Sequence, residues 1–144
     1  MIELTEQMQQ AINNSLEDGN PVIFSSAGAD GQPRLGFVGS IYSFSADQFA
    51  IWLRKADSTS ADNIRSNPHL AFLYRNPAER LMWQFQGRGH IVEDAALREQ
   101  VYHAIPERER NFDQEMLGQA VVIDIDRVLE RGAAIQEREP ANER

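Results

Sequence analysis

Between Phe49 and Tyr74 the chain reads strand, polar loop, short helix, strand, and this order restricts the possible folds more than any other stretch. Phe49, Ile51 and Leu53 alternate with Ala50 and Trp52 at the period-two spacing of an extended chain. Arg54 and Lys55, the latter the only lysine, then close the strand. Asp57, Ser58, Thr59 and Ser60 follow, residue types whose side-chain oxygens accept hydrogen bonds from the unpaired N–H groups of a helix start. The helix runs through Asn63, Ile64 and Arg65 and ends at Asn67-Pro68, because the residue before a proline disfavours helical backbone. Leu70, Phe72 and Tyr74 alternate as a strand again. Two cations, three hydroxyls and a helix N-terminus this close together suit a phosphate monoester. They equally suit a plainer role, an N-capped surface helix beside two solvated cations.

Around this centre the chain alternates between short strands and a few helices. Leu4, Met8, Ile12 and Leu16 repeat every fourth residue, which predicts an amphipathic helix over about 4–18, with Thr5 as its cap. Val22 to Phe24 reads as a strand. The turn residues from Ala29 to Pro33 make a hairpin with a second strand over Arg34–Ile41. Gly36 and Gly39 in that strand mark either a bulge or a close approach by a ligand. Ser43–Gln48 is expected to be a turn, and Leu81–Val92 the longest strand, with Trp83 and Phe85 on one face and a bend at Gly87 and Gly89. Asp94 caps a helix ended by Pro106, and the charged run Glu107–Arg110 reads as a solvated connection. Gln119–Ile125 is a final strand, and from about residue 133 a polar, mobile tail is expected. At 144 residues this makes one domain, 1–144, mainly β, a β-barrel with flanking helices.

Composition narrows the function. A net charge of -8 lacks the basic footprint of a nucleic-acid binder and disfavours an anionic membrane surface. No apolar run approaches a membrane span, and no basic-then-apolar leader opens the chain, so a soluble, cytoplasmic protein is expected. With no cysteine there is no thiol chemistry, and His69, His90 and His103 do not pair at metal-binding spacing, so no metal site is expected. Neither a nucleophile elbow nor a phosphate-binding P-loop is present. This scarcity of catalytic side chains fits a protein whose cofactor carries the chemistry.

The run Ser58-Thr59-Ser60-Ala61-Asp62-Asn63-Ile64-Arg65-Ser66-Asn67-Pro68, with the strand Pro33–Ser40 before it and Trp83–Val92 after it, resembles the pyridoxamine 5′-phosphate oxidase-related, FMN-binding split-barrel family. The likeness covers about Pro21 to Val128 and rests on order and spacing. Many members carry Arg and Lys where this chain has Thr59 and Ser60, which leaves the charge to Arg54 and Lys55. The resemblance implies an FMN-binding split β-barrel, a flavin-dependent oxidoreductase with a small-molecule substrate, and a homodimer with flavin at the interface. On that reading Arg54 and Lys55 neutralise phosphate, and Ser58, Thr59 and Ser60 donate to it. Gly39 and Ser40 offer backbone contacts to the ring, Asn63 supports the loop, and Gln84 touches ring or substrate. Phe37, Trp52, Trp83 and Phe85 serve either the interface or the core. The alternatives are a deazaflavin-dependent reductase and a non-catalytic flavin- or haem-binding, stress-related protein. Pyridoxamine phosphate oxidation itself is not expected, because that enzyme's substrate-phosphate residues find no match here.

Overall fold

The computed structural model describes residues 1–140. In chain order the elements are α1 (Glu6–Asn13), β1 (Val22–Ala27), β2 (Pro33–Val38), β3 (Tyr42–Ser45), β4 (Gln48–Leu53), α2 (Thr59–Ser66), β5 (His69–Asn76), β6 (Leu81–Ile91), α3 (Ala95–Ala104), α4 (Glu107–Arg110), β7 (Gln119–Glu130) and β8 (Ala133–Glu137). The strands pair antiparallel in the order β2-β1-β5-β6-β7-β4-β3, and β8 is added on β7. The expected fold class is therefore present, a mainly β split barrel with flanking helices. Strands β2 and β3 end the sheet without joining, so it stays open.

The inner core forms where alternate residues of the strands meet α1 and α2. Met8 and Ile12 of α1, Ala61 and Ile64 of α2, and Phe49, Phe72 and Phe85 of the sheet are all buried in it. The Phe49 ring lies edge-on to Phe72 at 5.8 Å and to Phe85 at 4.9 Å, an arrangement favoured by the ring quadrupoles. The other face of β4 is covered too. Ala50 and Trp52 pack there against Val101 and Tyr102 of α3, Ile105 and Val122 in a second cluster. Trp52, Trp83 and Phe85 thus belong to the core, while Phe37 is 73% exposed.

At Gln86/Gly87 the β6–β7 register shifts, which is the bend expected from the glycines. A Cβ at Gly87 would collide with the Asp124 carbonyl, so only glycine lets the two strands approach there.

Several boundaries differ from the sequence reading. Helix α1 stops at Asn13, since the Ser15 hydroxyl donates to the Ile12 carbonyl at 2.8 Å and turns the chain out of the helix. Leu4 is still buried, in an extended segment whose N–H donates to Ala46 O at 2.7 Å. The Ser43–Gln48 stretch is a hairpin between β3 and β4. Strand β2 ends at Val38, leaving Gly39 and Ser40 beyond it. The Glu107–Arg110 run holds a short helix that buries Glu109 to 8% exposure rather than a solvated link. Strand β7 continues to Glu130, and residues 133–137 of the expected mobile tail are strand β8. Arg131 (φ 48) and Gly132 (φ 86) make the two-residue turn between them, because a hairpin of that length needs left-handed backbone. The last part of the expected tail, 141–144, lies outside the described residues.

Candidate functional site

A groove of about 530 Å³ opens where β2 ends the sheet and faces the loop from β4 to α2. One wall is β2, with Arg34, Leu35, Gly36 and Phe37, and the other is Arg54, Lys55, Ser58 and Ser60. Gly39, Ser40 and Glu109 also line it. The split in the barrel is thus the origin of the cavity.

The loop's geometry follows from its capping chemistry. Ser58 Oγ accepts the Ala61 N–H at 3.1 Å, and the first backbone bond of α2 runs from Asp62 N–H to Ser58 O at 3.0 Å. The Thr59 and Ser60 N–H groups precede that bond and lie at the positive end of the helix. Lys55 is exposed and, among the described residues, forms no salt bridge. Arg54 is committed instead. Its Nη2 donates to Glu109 Oε2 at 2.8 Å, and its guanidinium lies 4.0 Å from the centre of the Phe112 ring.

Six of the nine residues expected at the site line this groove: Gly39, Ser40, Arg54, Lys55, Ser58 and Ser60. The hydroxyl of Ser40 is buried and structural, accepting from Trp52 N–H at 2.9 Å and donating to Trp52 O at 3.1 Å, which stitches the end of β2 to β4. The Glu109 carboxylate occupies the space where a Cβ at position 39 would stand, so a larger residue there would have to turn the Glu109 side chain aside.

Three expected residues lie elsewhere. Thr59 is exposed on the first turn of α2 and does not line the groove. Asn63 donates to Ser26 Oγ at 3.3 Å and packs against Gly28, fixing α2 on β1 as a support. Gln84 accepts from Gln86 Nε2 at 2.9 Å on another part of the sheet. Sequence reasoning missed Arg34 and Glu109. Arg34 sits in a strand whose alternation is broken by Gly36, so no face can be assigned to it, and Glu109 is hidden in a charged run that looks solvated.

Behind the groove, Asp113 is buried and accepts from Trp52 Nε1 at 2.8 Å, Leu117 N–H at 2.9 Å and Gly118 N–H at 2.9 Å. Burial pushes its carboxyl upward, but these donors and the nearby Arg98 charge outweigh it and hold Asp113 below the ordinary carboxylate range. None of His69, His90 and His103 lines the groove. His90 Nε2 lies 3.0 Å from Asp124 Oδ2, and His103 Nε2 lies 3.7 Å from Glu99. Among the described residues no group of three His, Asp or Glu is placed to hold a metal.

The cavity fits a phosphate-bearing flavin by its donor set. Three cations stand against one carboxylate, hydroxyls lie at a helix N-terminus, Leu35 and Phe37 form an apolar wall, and the volume is that of a cofactor pocket.

The comparisons with known proteins agree with this architecture. No curated protein matches the sequence. Among solved structures, HupZ from Group A Streptococcus superposes with a TM-score of 0.65 at 19% identity, covering 90% of this chain and 95% of that one. HutZ, the haem storage protein of Vibrio cholerae, gives 0.66 at 14%, covering 89% and 94%. An F420 reductase gives 0.58 at 15%, covering 82% and 95%. At such identities these likenesses speak for the fold. A family model described as pyridoxamine 5′-phosphate oxidase matches residues 5–130, which takes in both walls of the groove and the seven strands of the main sheet, and the chain belongs to that family.

Proposed function

We propose that the groove at the split of the barrel binds FMN and that the protein is an FMN-dependent oxidoreductase acting on a small-molecule substrate in the cytoplasm. The observation that carries this reading is the convergence of Arg34, Lys55, Ser58 and Ser60 on one cavity beside the N-terminus of α2. Lys55 and Arg34, which form no salt bridge among the described residues, face the phosphate as cations, and the serine hydroxyls and first-turn N–H groups donate to it. Leu35 and Phe37 offer the ring an apolar surface, and the glycines at 36 and 39 let it approach the backbone. When bound, the isoalloxazine supplies hydride and single-electron chemistry, for which no side chain in the groove is suited.

A homodimer belongs to the same reading. Leu35 and Phe37 are 77% and 73% exposed on the end strand, and Phe112, which stacks on Arg54 of the groove, is 62% exposed. An apolar rim of this kind is a surface that a second chain covers. A deazaflavin is the second reading, favoured by the Arg54–Glu109 pair, since a groove with one cation already neutralised grips a doubly charged phosphate monoester less firmly. A non-catalytic haem-binding role is less well supported, because no histidine reaches the groove.

Titration of the purified full chain with FMN and with riboflavin tests the assignment. Loss of a charge-assisted contact costs about 1.5–3 kcal/mol, so Lys55→Ala is expected to weaken FMN by roughly tenfold or more and leave riboflavin unchanged. Equal weakening of both ligands would overturn the phosphate role of Lys55.

A further inference from the structure

We propose that Glu109 determines the ligand selectivity of the groove: it is an internal anion that competes with a ligand's phosphate for Arg54. This rests on the groove being the flavin site. The Glu109 side chain is 10% exposed, its Oε2 accepts from Arg54 Nη2 at 2.8 Å, and its other oxygen fills the notch that Gly39 leaves by having no Cβ. Carboxylate, guanidinium and Phe112 ring therefore form one stack at the groove wall, with Arg54 held from two directions.

The backbone that carries Glu109 is tied down. Arg110 Nη1 donates to His103 O at 3.1 Å and to Ile105 O, and the Asp113 N–H donates to Arg110 O at 2.9 Å. A ligand that needs this space can rotate the Glu109 side chain but does not displace helix α4.

A phosphate that reaches Arg54 thus has two courses. It can expel the carboxylate, which strands a buried anion without its partner, or it can bind beside it and meet like charge at short range. Both courses penalise a phosphorylated ligand and spare a neutral one with the same ring. Arg34 and Lys55, without a salt bridge among the described residues, are left as the groove's cations to attract an anion. A groove built this way holds an anionic flavin as an exchangeable ligand instead of a permanently lodged group.

The test is the ratio of FMN to riboflavin affinity, measured by fluorescence titration of the full chain and of Glu109→Gln. The amide keeps the size of the side chain and removes its charge. The ratio is expected to rise by about tenfold or more, with riboflavin affinity unchanged. An unchanged or lower ratio overturns the proposal. Should Glu109→Gln fail to fold, side-chain NMR of the wild-type chain decides: the Glu109 carboxyl and Arg54 Nε–H signals are expected to move together on adding FMN and to stay in place with riboflavin. FMN binding without that movement overturns the competition and leaves the flavin site intact. If neither flavin binds wild type or variant, the proposed function falls and this inference falls with it.

Discussion

Asp113 satisfies three donors at once, and its removal leaves the Trp52 indole N–H and the Gly118 N–H buried without partners, with the part-buried Leu117 N–H beside them. Each such orphan costs about 1–3 kcal/mol, so Asp113→Ala is expected to lower stability by about 3 kcal/mol in chemical denaturation. The folded-state carboxyl titrates below its ordinary value of 3.8, so the unfolded chain binds the proton more readily. The stabilisation is therefore complete above that value and fades as pH falls through the lower, folded one. Thermal unfolding followed from about pH 7 downward should show a midpoint that drops below about pH 4, and the drop should be shallower in Asp113→Asn. Identical profiles for the two proteins would remove Asp113 from the acid response. None of this was legible in the sequence, where Asp113 is one acid among many. Ser58 was legible, because a helix cap is chosen by its immediate neighbours. Arg54 was legible as a cation but not as a paired one, since its partner lies 55 residues away.

Strand β4 shows the same division for an element. The alternation of Phe49, Ile51 and Leu53 announced a strand with one buried face, and the structure buries Ala50 and Trp52 as well. Helix α3 makes the difference by covering the outer face through Val101 and Tyr102. Phe49 is fully buried between Phe72 and Phe85, so Phe49→Ala leaves a cavity that its neighbours fill poorly. A loss of about 4 kcal/mol is expected from urea titration; a loss below about 1 kcal/mol would show that the aromatic cluster does not hold the sheet together. Strand β8 was not visible because residues 133–137 alternate only weakly and all but Gln136 are exposed. Its strand character comes from the turn at Arg131-Gly132 and from pairing with β7, as by Arg127 and Glu137 at 3.1 Å.

The whole molecule is an open sheet with an exposed apolar end strand, which soluble proteins usually cover or interrupt with charge. The proposed homodimer covers it. Sedimentation of the wild-type chain is expected to give a two-chain species, and Phe37→Asp, which places a charge on the rim without touching the core, is expected to give monomer with weakened flavin binding. A monomeric wild type at micromolar concentration would refute the dimer. By itself the sequence determined six of the eight strands, all but β3 and β8, with the capped helix at Ser58 and the β1–β2 hairpin, because each is set by residues within one or two turns of chain. It also singled out six residues that the fold brings to one groove, since four of them fall in the short stretch from Arg54 to Ser60 and the other two directly follow β2. Only the tertiary structure decided that Glu109 reaches across to Arg54, that Arg34 lines the same cavity, and that Asp113 holds Trp52. These pairings join residues far apart in the chain, and the energy that selects them is burial and charge neutralisation, which exist only once the sheet has curled around its core.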